Sequence, residues 1–216
     1  MELHKDLTGR AELNTKALCI CLMMLIVALL FIGMVVTNTW KLRLSTAEST
    51  IQTLQLKEQT LDLALEFGFD PMVVQTTQRL STKAFHEKHD PITWRFVKTD
   101  KELAYLILSV IQTESHGDPA AKNKSGASGL TQMMFSTAKQ YDKTLKPEEL
   151  LTLPKNLEIA VTHFVDLLER YRGNHYLAVL AWNRGITGAD RILAAGVGTD
   201  EYVTSVFTQA ALRNAQ

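Results

Sequence analysis

From Ala17 to Trp40 the chain runs for 24 residues without a charge, and Leu, Ile, Met, Val and Phe dominate the stretch. At about 1.5 Å per residue, a helix of this length crosses the roughly 30 Å hydrocarbon core of a bilayer with some tilt. Trp40 stands at its far end, where an indole suits the interface, and Lys41 and Arg43 follow. A cleaved signal peptide would have a shorter apolar region ending in small residues, and Thr37-Asn38-Thr39-Trp40 makes a poor cleavage site. A lipoprotein signal would place its apolar run before the cysteine, whereas this run follows Cys19 and Cys21. The pattern therefore predicts an uncleaved transmembrane anchor over 17–40, behind a tail of 1–16. Lys5, Arg10 and Lys16 on one side balance Lys41, Arg43 and Lys57 on the other, so flanking charge does not orient the span.

Beyond the span, Leu44, Ala47, Ile51, Leu54, Leu61 and Leu65 follow a 3-4-3-4 spacing, broken at Glu58. This is the seam of a short coiled coil or stalk helix, able to serve self-association through 44–65. An amphipathic helix packing on a domain gives the same pattern. Gly68-Phe69-Asp70-Pro71 ends the stretch, and a weaker helical pattern runs from Met72 to Phe85. After Pro91 the apolar positions recur at helical spacing between Gly, Pro and Asn breaks, with no alternating run that would build a sheet core. One of these helices is predicted to start at Thr99-Asp100, with Leu103, Leu106, Ile107, Val110 and Ile111 as its buried stripe.

Composition narrows the classes. Lys plus Arg and Asp plus Glu are both 23, so no strong field favours nucleic acid, and no nucleic-acid partner is expected. Everything from Leu22 onward lacks cysteine, which excludes a disulfide framework and a cysteine-based zinc site there. His86-Glu87-Lys88-His89-Asp90 falls one residue short of the i, i+4 histidine pair of zinc proteases and reads as a solvated linker. His116, His163 and His175 read as surface or satisfied histidines.

Glu114 continues the apolar stripe, four residues after Val110 and seven after Ile107. A carboxyl on that face loses solvation, which raises its pKa towards a range where it can donate a proton near neutrality. A Glu in a last helical turn can equally sit at the edge in water. The residues that follow decide between the two. Glu114-Ser115-His116-Gly117-Asp118-Pro119 leads into Gly126-Ala127-Ser128-Gly129-Leu130-Thr131-Gln132-Met133-Met134 and then Thr137-Ala138. Two glycines three residues apart allow a close turn, and the Gln132 amide suits the acetamido and hydroxyl groups of a sugar.

This segment resembles the family 1 (soluble-type, SLT domain) lytic transglycosylases, with their Glu-Ser, Asn-Pro, Gly-Ala-x-Gly-Leu-Met-Gln and Met-Pro-x-Thr-Ala motifs. Farther on, Ala181-Trp182-Asn183-Arg184-Gly185 resembles the family's Ala-Tyr-Asn-Ala-Gly, and Tyr202-Val203 with Val206 its closing Tyr-Val motif. The departures are Asp118 for Asn, Thr131 for Met, Phe135 for Pro, Trp182 for Tyr and Arg184 for Ala. Asn123 stands where a substrate-contacting serine is common, and Ser125 keeps a hydroxyl two residues on. By default Met133 is core filler, Trp182 is core or groove wall, and Tyr202 is packing that only the motif raises to a site residue.

The resemblance implies an all-α fold: a lysozyme-like transglycosylase domain over 99–216, preceded by one transmembrane helix and a helical stalk or linker over 41–98. It implies cleavage of the MurNAc-β-1,4-GlcNAc bond of peptidoglycan to 1,6-anhydro ends, with Glu114 catalytic. Ser115, Asn123, Ser125, Gln132, Met134, Trp182, Asn183 and Tyr202 would bind the glycan, and no metal or organic cofactor is implied. Peptidoglycan lies outside the cytoplasmic membrane. The expected place is therefore the bacterial inner membrane, single-pass, with the catalytic domain periplasmic and 1–16 cytoplasmic. A tethered enzyme of this kind suits general wall remodelling, or local opening of the wall for secretion or other envelope machinery. A goose-type lysozyme-like hydrolase and a catalytically impaired peptidoglycan-binding scaffold are the alternatives.

Overall fold

The computed structural model describes residues 2–91, 94, 97–196 and 198–214, with side chains over 22–91, 94, 97–196 and 198–210. Cys19, Cys21 and the start of the apolar run, Ala17 to Cys21, lie outside the residues whose side chains are described. The chain divides into two compact units, Met1–Lys57 and Glu58–Gln216.

The first unit is part of α1 (Glu2–Phe67). Every residue from Leu22 to Lys57 is exposed on it. Leu22–Phe67 contains a window of mean hydropathy 2.3, and among the described residues this is the one helix long and apolar enough to cross a membrane. The seam positions Leu44, Ile51, Leu54, Leu61 and Leu65 are all exposed.

The regular structure of the second unit is helical apart from one two-residue hairpin, and the all-α reading holds. Thr60, Leu63, Ala64 and Phe67 at the end of α1 are buried, spaced so that one helical face meets the core. Gly68 (φ 69°) turns the chain, and Asp70 caps α2 (Pro71–Lys88) by accepting the Met72 N–H at 2.8 Å. Sequence placed 71–88 within the stalk or linker; in the fold, α2 packs against α3 (Asp100–Ser115) and α5 (Leu153–Arg170). In the 86–90 segment His86, Glu87, Lys88 and Asp90 are exposed, and only His89 is drawn in. His89 caps α2 and stacks on Phe85 at 4.1 Å, with Trp94 edge-on at 5.6 Å.

The α3 helix opens on a full capping box, in which Thr99 Oγ1 accepts the Glu102 N–H and the Glu102 carboxylate accepts the Thr99 N–H. It is buried on every side from Leu103 to Ile111, a wider belt than one stripe, because it is the central helix. The helices α2 and α7 (Glu201–Asn214) pack on it, and α6 (His175–Ala194) joins α5 and α7. A two-residue hairpin, β1 (Ala127–Ser128) with β2 (Met133–Met134), is antiparallel and pairs Ala127 with Met134. The short α4 (Phe135–Ala138) and a 3-10 turn (Pro147–Leu151) lead into α5.

Candidate active site

The site is built from the end of α3 outward. Glu114 is the next-to-last residue of α3 and is half-buried. His116 (φ 55°) and Gly117 (φ 84°) stop the helix in the left-handed region. A Cβ on Gly117 would stand 2.5 Å from the Phe69 ring, so this turn needs glycine for space as well as for φ. Ser115 points inward: its hydroxyl donates to the Leu130 carbonyl at 2.6 Å and accepts the Gly117 N–H at 3.2 Å. It ties the helix end to the loop that follows.

That loop is held by side-chain amides. Asn123 Oδ1 accepts the N–H groups of Ser125 and Ala127, both at 2.9 Å. The Gly129 N–H reaches the Ala121 carbonyl at 2.8 Å. Gly129 (φ 79°) lies so close to the 3-10 turn and to α5 that a Cβ would collide with the Leu150 carbonyl oxygen and the Asn156 amide. Beneath it Asn156, 1% exposed, uses its whole amide. Oδ1 accepts from the Thr131 N–H (3.2 Å) and hydroxyl (2.8 Å), while Nδ2 donates to the carbonyls of Ser128 (3.2 Å) and Leu150 (2.8 Å). Thr131, a departure from the family pattern, is thereby accounted for, since its buried hydroxyl answers Asn156. Gln132 (φ 47°) donates from Nε2 to the carbonyls of Ala121 and Gly129, both at 3.0 Å. Asn123, Ser125 and Met134 are exposed along this loop and hairpin.

Two aromatic donors close on Glu114 from the carboxy-terminal helices. Tyr202, on α7, donates its hydroxyl to Glu114 Oε1 at 2.6 Å. Trp182, on α6, brings its indole N–H near the same carboxyl and favours its ionised form. Its indole leans on His163 (5.3 Å) and Phe164 (6.1 Å), so it is both core and wall. His163 is buried, its Nδ1 lies 2.8 Å from the Tyr141 hydroxyl, and burial pushes its pKa down. It is a satisfied histidine.

Burial raises the pKa of Glu114, and the bonds from Tyr202 and Trp182, which favour the ionised form, offset only part of that rise. The Tyr202 phenol is pushed up, first by burial and then by the charge of Glu114. The arrangement therefore holds the carboxyl proton more tightly than water does and stabilises the carboxylate once the proton has left.

Residues 97–196 match the model of the transglycosylase SLT domain family. They form an SLT domain of the lysozyme-like superfamily. Such a domain acts as a transglycosylase, with peptidoglycan as its substrate. The match ends before Asp200 and Tyr202, so α7 completes the surroundings of Glu114 from outside the matched span.

Of the glycan-binding residues expected from the sequence, Trp182 and Tyr202 meet Glu114. Among the described residues, no hydrogen bond joins Ser115, Asn123, Ser125, Gln132, Met134 or Asn183 to it. Ser115 and Gln132 brace the loop beside it, and Asn183 is exposed next to Trp182. Sequence reasoning missed Asn156 and Asp200. The bonds of Asn156 to Thr131 cross 25 residues and leave no local signature. Asp200, just before the Tyr202-Val203 pattern, carried the ordinary signal of a helix cap.

Replacing Tyr202 with Phe is expected to move the alkaline limb of peptidoglycan digestion to higher pH. The lost bond favoured ionised Glu114, so the proton is then held more tightly. Turnover at the optimum should fall by about tenfold, a part of the 10²–10⁴ a positioned acid contributes. Turbidity loss across a pH series measures both.

Proposed function

We propose that this chain is a membrane-anchored lytic transglycosylase that cleaves the MurNAc-β-1,4-GlcNAc bond without water, leaving 1,6-anhydro-MurNAc ends. The observation that carries the reading is the Glu114 carboxyl, whose proton affinity is raised by burial while its hydrogen-bond partners are two neutral aromatic donors. Hydrolysing glycosidases ordinarily need a second carboxylate to activate water or attack the sugar. A transglycosylase reuses one. Glu114 gives its proton to the glycosidic oxygen as the C1–O4 bond breaks, and the muramic acetamido group assists at C1. The Glu114 carboxylate then takes the proton of the O6 hydroxyl as the C1–O6 bond forms. The attacking hydroxyl belongs to the same sugar, so its effective concentration is high.

Tyr202 and Trp182 stabilise the carboxylate between the two transfers. The Gln132 amide oxygen, the Asn123 Nδ2, the Ser125 hydroxyl, Asn183 and Met134 line the path offered to the glycan, and Ser115 acts through the loop it braces. The exposed apolar residues Leu22 to Val36 suit a single span in the bacterial inner membrane, with the SLT domain in the periplasm. There the enzyme serves wall remodelling, or opens the wall locally for an envelope-spanning machine.

Mass spectrometry of muropeptides released from purified peptidoglycan by the full chain in detergent tests the reading. Anhydro ends, one water lighter than reducing ends, are expected. Hydrated ends would place the protein with the goose-type lysozyme-like hydrolases. Wall binding with no release would make it a scaffold.

A further inference from the structure

Arg184 stands where the family pattern has alanine, yet its side chain does not reach toward Glu114. Its Nε and Nη2 donate to Asp200 Oδ2 at 3.3 and 3.0 Å. Asp200 is 7% exposed, and its other oxygen accepts the N–H groups of Tyr202 (3.0 Å) and Val203 (3.3 Å). Its carbonyl accepts the Thr204 N–H and hydroxyl, both at 2.9 Å. Asp200 is thus the cap of α7, a buried carboxylate neutralised by a guanidinium from α6.

The two ends of this pair lead to the same place. Arg184 comes two residues after Trp182, and Gly185 (φ 69°, ψ 164°) breaks α6 immediately behind it. Asp200 comes two residues before Tyr202. Among the described residues, Tyr202 donates to Glu114 and the Trp182 indole bears on the same carboxyl. One ion pair therefore joins the turn of α6 that presents the first donor to the turn of α7 that presents the second.

We propose that the Arg184–Asp200 ion pair is a positioning clamp that makes Trp182 and Tyr202 converge on Glu114. This rests on the reading of Glu114 as the acid. Exposed ion pairs contribute little, but here the carboxylate is buried and capping, so removing its partner leaves an uncompensated charge at the root of α7. A slackening of well under an ångström there reaches the Tyr202 hydroxyl, and catalysis is sensitive to displacements of that size. The groups that bear on Glu114 are the Tyr202 phenol from α7 and the neutral indole from α6, while Asp200 bears on Tyr202.

The test uses the full chain in detergent: wild type, Arg184→Ala, Arg184→Lys, Asp200→Asn and Arg184→Ala/Asp200→Asn, digesting peptidoglycan across a pH series. Arg184→Ala should lower kcat about tenfold with KM within twofold, and should shift the alkaline limb upward as Tyr202 loosens. Asp200→Asn keeps a capping side chain and loses only the charge, so it should match Arg184→Ala. The double variant should be no worse than either single one, and Arg184→Lys should recover part of kcat. A raised KM with kcat and limb unchanged would make Arg184 a glycan contact and overturn the clamp. A lowered Tm with an unchanged limb and kcat would reduce the pair to a structural bridge, which also overturns it. If wild type itself releases nothing, the functional reading fails. Carbon-13 NMR titration of the Glu114 carboxyl in the same variants then still decides, and an unmoved titration rejects the clamp.

Discussion

Glu114→Gln is expected to lower peptidoglycan cleavage by about a thousandfold or more, within or beyond the 10²–10⁴ that a single positioned acid provides. The upper end is expected because, in the proposed mechanism, one group serves in both proton transfers, first as acid and then as base. Glutamine keeps an oxygen that can accept the Tyr202 hydroxyl at the 2.6 Å position, so the fold around the site has no reason to change. Stability should move the other way. The folded state holds the Glu114 proton more tightly than the unfolded chain, so wild type loses stability as pH rises from the unfolded carboxyl range through the raised folded pKa. Glutamine carries no such penalty. Calorimetric melts should show the variant equal to wild type in acid and more stable at neutral pH, with muropeptide release measuring the lost activity.

Asn156→Ala carries the largest expected loss of stability, about 3–5 kcal/mol of a total that for a domain of this size is about 5–15 kcal/mol. Four groups in a dry interior lose their partner together: the Thr131 N–H and hydroxyl, and the carbonyls of Ser128 and Leu150. Each unsatisfied buried group costs about 1–3 kcal/mol, and the costs overlap because all four lie around one amide. Water cannot readily replace it, since Asn156 is 1% exposed and Gly129 already sits against the same amide. Denaturant midpoints measure the loss. Activity should fall as well, because the loop that Asn156 pins also carries Gln132.

Local chemistry was legible in the sequence where its signals are short-range. The Thr99-Asp100 helix start and the Asp70 turn are short local devices that can be read directly, and both stand where the pattern puts them. Glu114 was legible as a continuation of the α3 stripe. What the sequence could not carry is direction. Ser115 and Gln132 have polar groups that suit a sugar, yet their donors turn to backbone carbonyls up to 15 residues away, and no periodicity reports that choice. The 71–88 segment was underrated for a related reason. Its helical signal is weak, and it acquires a place by packing on α3 and α5, a tertiary effect invisible to propensity.

The bond between Tyr202 and Glu114 spans 88 residues of chain. Contacts so distant in sequence form late, after the intervening loop has closed at an entropic cost. As the chain is synthesised, α3 and its acid emerge long before the helix that gives the acid its partner. The surroundings of Glu114 are therefore unfinished until α7 has been made and has docked. Afterwards the same feature works in reverse. Opening α7 alone removes Tyr202 while the packed helices behind it persist, so the enzyme can be silenced by a local event well short of global unfolding.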